Sequence, residues 1–236
     1  MSVEVILQAF ENRINHRDKI RLMLEFSSYD FFFFSVAYAK STGVSDLFNA
    51  INLGGKRFEV YLGINNGVTS IQSVLELLKF GITPTLVDMG KTSSIFHPKL
   101  YIACDSENSI AEAIVGSANL TFNGLNQNVE TSLQVKLASI ELLNQVKDSF
   151  QEAIRRSPDN FIIANSVKKL VRLMTKGRLE DERIRGTQPN RSLTEKNYRV
   201  QLPALKTLTT RRNRIAKGRP SIRATRRVTS ATQAWV

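Results

Sequence analysis

The chain has 236 residues, 42% of them hydrophobic, which suffices for one full domain with a sizeable core and a smaller appendage. Its formal charge of +12 is uneven: from Gly177 onward 15 Lys and Arg stand against 4 Asp and Glu, so residues 1–176 are nearly neutral and the tail is built for a polyanion. Cys104 is the only cysteine, which excludes an intrachain disulfide. The longest apolar stretch, Phe31 to Ala39, is too short to span a bilayer, and MSVEVILQAFENR lacks the form of a signal peptide. The expectation is a cytoplasmic protein with no membrane partner.

In chain order, Val3 to Phe26 carries apolar residues at helical spacing (Ile6, Phe10, Ile14, Ile20, Leu24) and predicts helices. Asp30 to Tyr38 (DFFFFSVAY) predicts a strand buried on both faces, its phenylalanines packing the core rather than stacking on bases. A helix over Ser41–Ile51, a turn at Gly54-Gly55, a strand over Arg57–Ile64 and a helix over Ser70–Phe80 capped by Gly81 follow. A third strand spans Ile82–Met89. Gly63 to Gly67 has neither the Lys nor the spacing of a phosphate-binding loop and reads as an ordinary strand-to-helix turn.

Strand, helix, strand, helix, strand predicts an α/β fold: a mixed, largely parallel sheet flanked by helices. Phe96–Cys104 and Ala111–Gly116 are expected as two more strands around the polar turn Asp105–Ser109, and Thr131–Leu137 as another. Ile140–Arg155 is expected as a helix burying Leu142, Leu143, Val146 and Phe150. A last helix is expected from Ser157-Pro158-Asp159 to about Met174. No internal repeat is present.

From Gly177 apolar periodicity weakens, and Tyr198–Leu205 and Ser221–Thr229 are candidate short strands. The expected division is 1–176 as catalytic body and 177–236 as a basic C-terminal extension. That extension is either a disordered tail or part of a DNA-recognition domain, and the chain is then a fragment of a longer enzyme. Its candidate DNA contacts are Arg211, Arg212, Arg214, Lys217, Arg219, Arg223, Arg226 and Arg227.

The chemistry concentrates between Phe96 and Glu130, FHPKLYIACDSENSIAEAIVGSANLTFNGLNQNVE. On a strand His97, Lys99 and Tyr101 share one face, and a buried cation there needs a partner. Ser117 and Asn119 end the neighbouring strand, and Glu130 opens the next. A neutral imidazole, a cation, a hydroxyl, an amide and a carboxylate together suffice for phosphodiester cleavage without a metal. His97 would attack phosphorus to form a phosphohistidine. Lys99, Ser117 and Asn119 would hold the developing charge, and Glu130 would orient His97. A lone HxK or GSxN carries little; their joint occurrence in this order carries much. Two histidines and one cysteine offer no metal-ligand spacing, and no cofactor is expected.

HPK, then GSANLT, then NVE resemble the phospholipase D superfamily signature across about residues 30–155. The wording HPKLY…GSANLT…NVE is most similar to the metal-independent restriction endonucleases of that superfamily. Carried over by position, His97 is the nucleophile, Lys99, Ser117 and Asn119 the phosphate cradle, and Glu130 the orienting carboxylate. The family's longer motif has an Asp five residues after the Lys, where this chain has Cys104; Asp105 falls one residue late and takes no role.

Family sites use two motifs and this chain has one, since His16 is followed by Arg17 and Asp18. The resemblance therefore implies a homodimer with one composite site, in which the second His97 protonates the leaving oxygen. It also implies DNA as partner and a cognate DNA methyltransferase in the same system. Two other classes stay open: a phosphodiesterase acting on RNA or phospholipid, and a catalytically idle DNA-binding accessory module. The intact set His97, Lys99, Asn119 and Glu130 separates the idle module from the enzymes.

Overall fold

The structure is a computed structural model that describes residues 2–8, 15–65, 67–90, 94–137 and 139–184. In chain order its elements are β1 (Ser2–Leu7), α1 (His16–Glu25), β2 (Phe31–Val36), α2 (Ser41–Phe48), β3 (Arg57–Gly63), α3 (Ile71–Lys79) and β4 (Thr85–Val87). There follow β5 (Lys99–Asp105), β6 (Ile110–Gly116), α4 (Phe122–Asn126), β7 (Thr131–Leu137), α5 (Glu141–Arg156), a 3-10 turn (Pro158–Asn160), β8 (Phe161–Ile163) and α6 (Val167–Thr175).

The phenylalanine run is the centre of the core. Every residue of β2 is buried. Alternation sends Phe31 and Phe33 to one side, where they pack with Ile102, Cys104, Ala111, Ala113 and Leu143 under α5. On the other side Phe34 lies edge-on to Tyr101 at 5.1 Å and meets Phe48 of α2 at 6.2 Å between ring centroids. Burial of each such ring contributes about 2 kcal/mol, so this strand alone supplies a large share of the hydrophobic stabilisation.

The eight strands form one sheet in the order β1-β7-β6-β5-β2-β3-β4-β8. Only β2–β3 and β3–β4 pair in parallel; the other neighbours are antiparallel. The expected helix-flanked mixed α/β sheet is present, but it is mostly antiparallel rather than largely parallel. The reason is connection length. A parallel pair needs a crossover of a dozen or more residues, which α2 and α3 provide. The turn from Asp105 to Ile110 is too short for that, so β5 and β6 form a hairpin.

Two further expectations are corrected. Val3–Leu7 is a strand, not a helix, pairing antiparallel with β7. Its alternation puts Val3 and Val5 outward and buries Ile6, a period of two that the helical spacing of Ile6 with later residues obscures. The segment after Pro158 is not one helix: a 3-10 turn leads into β8, which covers the edge of β4, and α6 starts only at Val167. The β-branched pair Ile162-Ile163 favours the strand, and sheet pairing decides the matter.

Residues 177–184 lie along the body. Leu179 is buried, Arg178 pairs with Asp88 at 3.3 Å, and the Glu182 carboxylate accepts the Ser41 backbone N–H at 2.8 Å. The candidate strands Tyr198–Leu205 and Ser221–Thr229 lie outside the described residues. Among the described residues no helix is long and apolar enough to cross a membrane.

Candidate active site

The site forms at the end of the sheet where β2 and β3 finish, β5 begins and β6 ends, the end at which open α/β sheets present their ligand crevices. The segment entering β5 is held tightly. A Cβ on Gly63 would lie 2.8 Å from the Phe96 carbonyl oxygen, so only glycine lets the two chains approach this closely. Pro98 accepts the backbone N–H of Ala37 at 2.8 Å. His97 therefore projects from a fixed backbone, with its ring at the surface.

Lys99, the first residue of β5, is only 9% exposed. Its Nζ lies 2.7 Å from Nδ1 and 3.0 Å from Nε2 of His97. Burial, and then the adjacent Lys99 charge, hold His97 below the ordinary histidine pKa. Burial also lowers Lys99, against the opposing pull of the Glu130 carboxylate. The Tyr38 ring stands edge-on to His97, 5.5 Å between centroids.

Ser117 and Asn119 come from the loop after β6. A Cβ on Gly116 would fall 2.1 Å from Ser132 Oγ, so glycine is required where β6 meets β7. Ser117 Oγ donates to Glu130 Oε2 and accepts the Thr131 backbone N–H at 3.0 Å. Ala118 accepts the buried Tyr101 hydroxyl at 3.0 Å, and Leu120 donates to the Tyr38 carbonyl at 3.1 Å. The loop is thus fastened on both sides of Asn119. Thr121 caps the short α4 by accepting the Gly124 N–H at 3.0 Å.

Asn119 is half-buried, and its Oδ1 is fully covered without a hydrogen-bond partner. Glu130 is 8% exposed and accepts from Asn128 Nδ2 at 3.1 Å as well as from Ser117. It makes no hydrogen bond to His97 of the same chain among the described residues. Its charge acts on Lys99 instead.

The structure thus brings His97, Lys99, Ser117, Asn119 and Glu130 to one end of the sheet. Lys99 joins His97 on one side, and Glu130 joins Ser117 on the other. Cys104 is buried at the far end of β5. There Asp105 accepts from the Asn108 backbone and amide at 2.9 and 2.8 Å, a turn contact remote from the site. Among the described residues no group of three or more His, Cys, Asp or Glu could hold a metal ion.

Tyr38, Tyr101 and Asn128 were not among the expected site residues. Tyr101 shares the Lys99 face by strand alternation, a signal present in the sequence; Tyr38 and Asn128 carry no local signal. Arg211, Arg212, Arg214, Lys217, Arg219, Arg223, Arg226 and Arg227 lie outside the described residues.

No family model matches the sequence, and no curated protein matches it. Among solved structures, NucT from Helicobacter pylori aligns with a TM-score of 0.51 at 14% identity, over 69% of this chain and 98% of that one. Nuc from Salmonella typhimurium, described as a phospholipase D family member, aligns with a TM-score of 0.47 at 16% identity, over 70% of this chain and 100% of that one. Phosphatidylserine synthase from Haemophilus influenzae Rd KW20 aligns with a TM-score of 0.45 at 13% identity, over 74% and 44%. The alignment with NucT shows a shared fold, and the eight-stranded mixed sheet flanked by helices is phospholipase D-like.

Proposed function

We propose that the protein is a metal-independent phosphodiesterase, and specifically a restriction-type DNA endonuclease. The observation that carries this reading is a surface-facing imidazole with the Nζ of a buried lysine 2.7 Å from its Nδ1, and a hydroxyl and an amide on the adjoining loop.

A ring nitrogen of His97 attacks phosphorus, and the P–O bond to the leaving oxygen breaks. A phosphohistidine results, which water then hydrolyses. Lys99, Ser117 and the Asn119 amide hold the non-bridging oxygens as negative charge grows on them. Covering Lys99 strengthens this, because a charge in a poorly solvated place acts more strongly on its neighbour. Glu130 keeps Ser117 in position and offsets the Lys99 charge before substrate binds; orienting His97 is its second proposed role.

The leaving oxygen needs a proton, and the chain has one HxK motif. A homodimer supplies a second His97 as general acid at a composite site. An active monomer in light scattering coupled to activity measurement would remove this part of the reading. The basic tail would contact DNA phosphates, so deleting residues 199–236 should weaken DNA binding and flatten its salt dependence. A DNA methyltransferase encoded next to this chain would support the restriction assignment.

The test is plasmid cleavage in excess EDTA, with His97→Ala in parallel. Cleavage by the wild type and none by the variant is the expected result. Equal cleavage by both would overturn the histidine mechanism.

A further inference from the structure

The second histidine lies behind the cradle. His16, the first residue of α1, is fully buried. Its surroundings define its protonation. The Gln8 amide nitrogen donates to the carbonyls of Gly124 at 3.1 Å and Asn128 at 3.0 Å, so both amide hydrogens are used. Gln8 Oε1 therefore faces His16, where it lies 2.9 Å from the backbone nitrogen and 2.9 Å from ring Nδ1. A carbonyl oxygen only accepts, so Nδ1 carries the proton; in the neutral ring Nε2 is then an acceptor. Ser132 Oγ lies 2.7 Å from Nε2, and in the neutral ring it donates to it.

These partners flank the site residues. Ser132 sits opposite Gly116 in the β6–β7 register, and Gly116 precedes Ser117. The Gln8 backbone N–H donates to the Glu130 carbonyl at 2.9 Å. Asn128, whose carbonyl Gln8 holds, is the residue whose side chain bonds Glu130. Gly124 lies in α4 and Asn128 in the turn that leads from it to Glu130.

We propose that His16 is a positioning residue: as the Nδ1–H tautomer it bridges Gln8 to Ser132 and so sets the backbone from which Ser117 and Glu130 project. The inference rests on the reading of that site as a phosphate cradle. A neutral histidine suits the place because one rigid ring offers a donor and an acceptor on opposite edges, which no aliphatic side chain of its volume does. Burial keeps the ring below the ordinary histidine pKa, against the pull of the nearby Glu130 carboxylate.

The chain has two histidines, so ring 15N NMR resolves both. One ring should show a protonated Nδ1 and a bare Nε2 and stay unmoved by inorganic phosphate; the other, His97, should shift. A protonated Nε2 on the unmoved ring would overturn the proposal. On plasmid DNA, His16→Phe keeps the volume and loses both ring contacts; kcat should fall about 10-fold or more with KM within about 2-fold, the size of one or two lost hydrogen bonds acting on the transition state. His16→Gln, which can still accept from Ser132, should recover to within about 3-fold of wild type.

Unchanged kcat in His16→Phe, with its unfolding temperature lowered, would show a purely structural role and overturn the proposal. If that variant does not fold, Ser132→Ala is read instead, with a fall of about 3- to 10-fold expected and none overturning. If the wild type cleaves no DNA, the nuclease reading fails separately. The phosphate-induced shift of His97 then decides: weaker phosphate binding in His16→Phe upholds the positioning role, and identical binding removes it.

Discussion

The two halves of the sheet divide the labour. The parallel half, β2, β3 and β4 with α2 and α3, carries the aromatic core: Phe32, Phe34, Phe48 and Leu62 are wholly buried there. The antiparallel half, β5, β6 and β7, carries His97, Lys99, Ser117, Asn119 and Glu130 at its ends. Crossover helices demand long connections and continuous burial, which leaves little freedom for polar side chains. The β5–β6 hairpin and the connection through α4 to β7 set the start of β5, the end of β6 and the start of β7 side by side, so the candidate groups of three successive strands meet at one rim. Under the proposed function, a rigid half positions and a half rich in loop ends reacts.

The largest test of this division is His97→Ala, expected to lower plasmid cleavage on the order of 10⁴-fold or more while leaving urea unfolding nearly unchanged. Phe34→Ala should do the reverse. It should cost about 3–5 kcal/mol in urea unfolding by opening a cavity, while the surviving folded fraction cleaves normally. A large activity loss per folded molecule in Phe34→Ala would erase the distinction.

Ser117→Ala sharpens the comparison within the reactive half. It removes a donor to the phosphate and frees Glu130, and should lower kcat about 10- to 100-fold with little effect on unfolding. A smaller effect concerns pH. The neutral imidazole is the reactive form, and His97 titrates below the ordinary histidine value. The proposed second His97 must carry a proton, so the profile should be bell-shaped: activity falls as pH drops through the lowered value of the attacking ring, and falls again as pH rises and the general acid loses its proton. Lys99→Met removes the adjacent positive charge, which eases protonation of His97, so the acid limb of its residual activity should move to higher pH. A limb that stays or moves down would show that Lys99 does not act on His97 electrostatically.

Much of this arrangement was legible in the amino-acid order. The run Phe31–Phe34 announces a strand buried on both faces, because no other element accommodates four successive large aromatics without exposing one. The bounds of β7 agree with Thr131–Leu137 as read from alternation. The five candidate site residues stand out through their joint occurrence, since HxK, GSxN and a later Glu fall in this order at the ends of segments read as strands.

What the sequence by itself determined was local: periodicity, turn chemistry and which side chains are candidates for the reaction. These depend on neighbours a few residues away. The tertiary structure decided the rest. It set the antiparallel sense of most strand pairs and made Ser2–Leu7 and Phe161–Ile163 into edge strands, because pairing partners more than a hundred and more than seventy residues away respectively outweigh weak local propensity. It gave Glu130 to Ser117 and Asn128 rather than to His97 of the same chain. It also brought His16 to Ser132, 116 residues along the chain, and a contact of that span leaves no trace in spacing because only the closed sheet creates it.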